Sequence, residues 1–149
     1  MEETRLTIYS AQTESELPLD FADEGIRAGF PSPAQDYLHE SIDLNRELVR
    51  HPATTFYARA VGDSMRDKGI GDGDLLVVDK SLEPREGNIV VAYIDGEFTL
   101  KTLHRDERAD CLWLMPANSK YQPIRVTREN HFIIWGVVTY NIKSQLRRQ

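Results

Sequence analysis

The sequence predicts a mainly β domain, preceded by an acidic N-terminal arm and a short helical linker. Three observations carry this. Beyond Pro52 the chain breaks into short runs rich in valine, isoleucine and aromatic residues, the composition of strands. Asp95-Gly96 stands between two of these runs, the strongest short hairpin signal available. Turn-rich joints such as "EPREGN" and "PANSKYQP" separate others.

Taken in order, residues 1–28 form the arm. Glu2, Glu3, Glu14, Glu16, Asp20, Asp23 and Glu24 outnumber Arg5 and Arg27. "LTIY" suits a short strand, and the rest lacks periodicity, so the arm is expected to be mobile or loosely docked. Residues 29–52 form an extended and helical linker. Pro31 and Pro33 favour extended backbone at Phe30 and Ser32. Ser32 with Gln35 matches a capping box, with Pro33 at the first helical position. Tyr37, Leu38, Ile42, Leu44, Leu48 and Val49 recur at mostly helical spacing, with a possible restart at Asp43, and His51-Pro52 ends the pattern. Residues 53–149 form the β-rich domain, with strands expected over 54–60, 74–79, 88–94, 97–103, 111–116 and 131–142.

Composition narrows the function. A chain of 149 residues suits one domain and buries roughly 70% of its unfolded surface, so it needs no covalent staple. Cys111 is the only cysteine, which rules out an intrachain disulfide and suits a reducing cytoplasm. The start has neither a secretory signal nor a membrane span. A net charge of −6 argues against direct DNA reading. Lys143, Arg147 and Arg148 at the C-terminus read as a solvated tail.

Glycines 69, 71 and 73 invite a phosphate-loop reading, but the spacing is wrong, Lys68 precedes them, and Asp72 and Asp74 would repel phosphate. The Ca²⁺-loop pattern lacks its closing Glu. A turn that redirects the chain accounts for them better. His39, His51, His104, His131 and Cys111 show no metal-ligand spacing, and no cofactor is implied. A Ser-His-Asp triad converges only in space, so the residues leave it open, although no histidine has a recognisable catalytic context.

A Ser-Lys dyad is the remaining nucleophilic arrangement. A serine hydroxyl needs a base, and lysine serves only when neutral. With an ordinary pKa near 10.4, about 0.04% is neutral at pH 7, and a drop of about 3 units raises this to roughly 30%. Such a lysine must sit among apolar residues. Lys68 and Lys80 lie among aspartates, glycines and turn residues, Lys120 in a polar loop, and Lys143 near the terminus. Lys101 lies in "FTLKTL", flanked by Phe98, Leu100 and Leu103. A lysine on the solvated face of a strand remains the ordinary alternative.

"GDSM" at 62–65, with the lysine of "FTLK" 37 positions after Ser64, resembles the LexA/UmuD family of self-cleaving Ser-Lys proteases. "GFPSPAQDYLHESIDLNRELVRHPATTFYARAVGDSM", "GDGDLLVVD", "DGEFTLK" and "MPANSKYQPI" extend the likeness over about residues 28–140, on its UmuD side. The resemblance implies a twisted β-structure, usually a homodimer. It implies Ser64 as nucleophile, Lys101 as general base, the backbone N–H groups of Ser64 and Met65 as oxyanion donors, and cleavage between Ala28 and Gly29. It further implies stimulation by the RecA filament on single-stranded DNA. The shortened product would join an error-prone translesion polymerase subunit, UmuC-like, in the SOS response to DNA damage. A repressor of the family would need a helix-turn-helix domain ahead of the cleavage site, and a signal peptidase a membrane anchor; neither is expected here. The alternatives are a non-enzymatic β-rich interaction module masked by its arm, a repressor-like self-cleaving regulator, and a protease acting on other chains.

Overall fold

The computed structural model describes residues 5–13, 15–22 and 38–146. The chain divides into two compact units, Met1–Ala11 with Ala53–Gln149, and Gln12–Pro52. The first holds an eight-stranded sheet in which every neighbouring pair is antiparallel. Its strands are β1 (Arg5–Ser10), β4 (Thr55–Val61), β5 (Leu75–Asp79), β6 (Ile89–Ile94), β7 (Glu97–Asp106), β8 (Cys111–Met115), β9 (Ile124–Val126) and β10 (Phe132–Ile142). Their spatial order is β1-β4-β5-β10-β6-β7-β8-β9. The mainly β class is therefore observed.

The short strand expected in "LTIY" is β1, which pairs with β4 from Arg5↔Val61 to Ser10↔Phe56. The Asp95-Gly96 hairpin joins β6 to β7. Both residues have positive φ, 47° and 91°, as a tight two-residue turn demands. The last strand lies between β5 and β6 and carries two register shifts, at Ile134/Gly136 and Val138/Tyr140. Such bulges bend and twist a strand, and here they curl the sheet. The first also fixes a glycine, because a Cβ at Gly136 would lie 2.6 Å from Val78 Cγ1.

The curled sheet encloses two apolar clusters. One gathers Ala58, Ala60, Met65, Leu76, Val78, Val91 and Leu100, with Leu6 and Ile8 of β1 packed against it. The other gathers Val90, Ala92, Leu103, Leu114, Val126 and Val137. Each fully buried Leu or Val contributes about 1.5–3 kcal/mol, so these clusters hold the strands that carry the site.

The second unit contains a two-stranded antiparallel sheet of β2 (Pro18–Ala22) and β3 (Leu38–Asp43). Here the expectation of a helix from Tyr37 onward is corrected. Residues 38–43 are a strand, and only Leu44–Leu48 form a helix, α1. The strand takes its backbone partners from β2, which a sequence window cannot supply. The restart at Asp43 is real: its side chain caps the helix by accepting from the Asn45 N–H at 3.1 Å, and it accepts from the Leu17 N–H at 3.0 Å. The proposed capping box at Ser32 lies outside the described residues.

Candidate active site

Ser64 stands just past the end of β4, in the loop that turns back into β5. That loop is closed by its own glycines and aspartates. Gly62, Gly69 and Gly73 have positive φ of 98°, 79° and 86°. The Asp72 carboxylate accepts from the Gly62 N–H at 3.0 Å, and the Gly73 N–H donates to the Ala60 carbonyl at 2.7 Å. The Asp74 carboxylate accepts from the Gly71 N–H at 2.9 Å and forms an ion pair with Lys143 at 2.8 Å. These residues act as the redirecting turn that the sequence suggests. Met65, fully buried in the first cluster, anchors the loop from below.

Lys101 sits in the middle of β7, opposite Val90 in the register with β6. Alternation puts Thr99, Lys101 and Leu103 on one face, together with Val90 and Ala92 of β6. Lys101 and Ser64 are both 0% exposed. The lysine Nζ lies 3.5 Å from Ser64 Oγ and donates to Thr99 Oγ1 at 2.8 Å. The longer contact fits the loose geometry common before substrate binds.

The structure thus brings together two side chains 37 positions apart. The other four lysines are exposed: Lys80 lies 4.9 Å from the Trp135 ring centroid, and Lys143 pairs with Asp74. An ammonium buried among apolar side chains is disfavoured relative to the neutral amine. The side-chain arrangement therefore suits proton abstraction from the serine. His51, His104 and His131 are exposed, and His104 pairs with Glu86 at 2.9 Å. Ala28 and Gly29 lie outside the described residues.

Sequence reasoning missed Thr99. The available signal was its place two residues before Lys101, which on a strand means the same face. It also missed the loop Pro116–Tyr121, whose Ala117 N–H donates to the Ser64 carbonyl at 2.7 Å. Nothing local in that polar stretch points to the serine.

The family model described as Peptidase S24-like matches residues 21–139. The chain belongs to this family. Individual relatives agree with the match. Protein SamA of Salmonella typhimurium is 48% identical over 112 residues, 75% of this chain and 76% of SamA. Protein MucA of Escherichia coli is 47% identical over 118 residues, 78% and 79% of the two chains. The LexA repressor of Carboxydothermus hydrogenoformans is 38% identical over 109 residues, 72% of this chain but 52% of the repressor. Family and relatives identify a UmuD-like serine peptidase of the SOS response, which answers damage to DNA. Among the described residues, no helix is long and apolar enough to cross a membrane.

Proposed function

We propose that the protein cuts its own chain between Ala28 and Gly29, with Ser64 as nucleophile and Lys101 as general base. The observation that carries this reading is the buried 3.5 Å approach of Lys101 Nζ to Ser64 Oγ within an apolar face. Neutral Lys101 takes the hydroxyl proton as Ser64 Oγ bonds to the Ala28 carbonyl carbon. The backbone N–H groups of Ser64 and Met65 hold the oxyanion. Collapse of the tetrahedral intermediate breaks the bond to the Gly29 nitrogen, which receives the proton from Lys101. Water then releases Ala28 from Ser64, with Lys101 again as base. Thr99 holds the amine in place through its hydroxyl.

The segment that contains the cleaved bond joins β2 to β3, so its two ends are tied together by the paired strands. Because the bond and Ser64 belong to one chain, the covalent link raises the effective concentration of the bond and leaves docking as the step to regulate. We place that regulation with the RecA filament on single-stranded DNA. The product, residues 29–149, acts as a homodimer with a UmuC-like translesion polymerase subunit in the cytoplasm. Incubation with activated RecA should yield a large fragment whose first residue is Gly29, read by N-terminal sequencing. A chain that stays intact with and without RecA, or that is cut elsewhere, overturns the proposal.

A further inference from the structure

We propose that Asn118 and Tyr121 are positioning residues of a clamp that aims the oxyanion donors, both acting on the peptide unit that carries the Ser64 N–H while the Ala117 backbone in the same loop holds the next unit. The inference rests on the reading of Ser64 as nucleophile and extends it to a loop more than fifty residues away. Four hydrogen bonds tie the loop Pro116–Tyr121 to residues 63–67. The Asn118 side chain, 4% exposed, donates through Nδ2 to the Asp63 carbonyl at 2.9 Å. The Ala117 N–H donates to the Ser64 carbonyl at 2.7 Å, and the Ala117 carbonyl accepts from the Asp67 N–H at 2.7 Å. The Tyr121 hydroxyl donates to the Asp63 carboxylate at 2.6 Å. The loop braces itself as well: Asn118 Oδ1 accepts from the Lys120 N–H at 3.1 Å, and the Asn118 carbonyl accepts from the Tyr121 N–H at 3.1 Å.

The choice of acceptors gives this clamp its meaning. A peptide unit is planar and trans, so fixing its carbonyl fixes the opposite direction of its N–H. The Asp63 carbonyl shares a peptide unit with the Ser64 N–H. The Ser64 carbonyl shares one with the Met65 N–H. Asn118 and Ala117 therefore orient the two N–H groups that would hold the developing oxyanion. Tyr121 holds the Asp63 side chain and so keeps the first of these units from rotating. An oxyanion donor works only when aimed beforehand at the charge it will meet.

Self-cleavage of the full chain, followed against pH, tests this. Asn118→Ala should lower the rate about tenfold to a hundredfold, the loss expected when one oxyanion donor is misaimed. Tyr121→Phe keeps the ring, removes only the hydroxyl, and should lower the rate less, about threefold to tenfold. In both variants the pH at half-maximal rate should match wild type, because Lys101 is untouched, and melting should begin well above the assay temperature. If wild type cleaves and both clamp variants cleave within twofold of it, the clamp is overturned while the dyad stands. A shifted pH midpoint would also overturn it, since that places the effect on Lys101. If Asn118→Ala fails to fold, the rate of Tyr121→Phe decides alone. Absence of cleavage in wild type overturns the dyad itself and the clamp with it.

Discussion

Two lysines reach the loop between β4 and β5, Lys101 from the middle of β7 and Lys143 from just past the end of β10. Lys143 meets a carboxylate. Its Nζ donates to both oxygens of Asp74, at 3.0 and 2.8 Å, and its side chain is 42% exposed. Lys101 meets hydroxyls, those of Thr99 and Ser64, on a face shared with Val90, Ala92 and Leu103. The same side chain therefore serves opposite ends. Beside a carboxylate, with water near, a lysine makes an ion pair that holds the loop down. Burial beside hydroxyls and hydrocarbon disfavours a charged ammonium, and the proposed chemistry needs the neutral amine, whose lone pair can take a proton from a serine. The surroundings, and not the residue type, divide structure from the proposed chemistry.

The contrast is sharpest at the buried pair. Ser64→Ala should reduce self-cleavage by about 10³-fold or more, and Lys101→Met by about 10²–10⁴-fold. Because Lys101→Met replaces a buried amine with an apolar chain of similar length, it should melt no lower than wild type. Fragment yield on a gel and thermal unfolding check both. A Lys101→Met protein that cleaves like wild type would erase the distinction between the two lysines.

Thr99→Val comes next in size. It keeps the shape of a side chain only 5% exposed and removes the hydroxyl that holds Nζ. Self-cleavage should fall about tenfold, the equivalent of one hydrogen bond of ~1.4 kcal/mol. Unchanged kinetics would mean that β7 alone positions the amine. Lys143→Met should act on the other side of the comparison. It leaves the Asp74 carboxylate, 5% exposed, without its ammonium and should cost about 1–2 kcal/mol in denaturant unfolding. The pH profile of self-cleavage should not move. A moved profile would make Lys143 part of the chemistry.

The smallest expected effect lies at Glu86, ahead of β6, where it meets the last residues of β7. The Arg105 N–H, and then the His104 side chain, hold the Glu86 carboxyl below its ordinary value of 4.5. A carboxyl lowered on folding contributes stability above its unfolded pKa and loses it as pH falls through the folded value. Glu86→Gln should therefore narrow the gap between the melting temperatures at pH 7 and pH 3 by a small amount, since the site is exposed. An unchanged gap would show that these contacts do not couple to folding.

Much of this was legible in the sequence because strands announce themselves. Runs such as "LLVVD" and "IVVAYI" are buried on both faces in the middle of the sheet, and Asp95-Gly96 fixes its hairpin through backbone geometry that few other pairs adopt. The three-residue strand Ile124–Val126 was too short to stand out from its turns. Residues 38–43 misled because helical spacing and a strand's alternation overlap in so short a stretch, and β2 decided between them. The Ser64–Lys101 pairing drew on apolar flanks and on family likeness. Thr99 was readable from strand alternation. Asn118 and Tyr121 were not, because only the folded chain brings residues 116–121 against residues 63–67.

The rate of self-cleavage between pH 6 and 11, in wild type and in Lys101→Met, tests the central claim most directly. If neutral Lys101 is the base for Ser64, the wild-type rate climbs about tenfold per pH unit and then levels off, while Lys101→Met stays near zero throughout. A Lys101→Met protein that follows the wild-type curve would contradict the account.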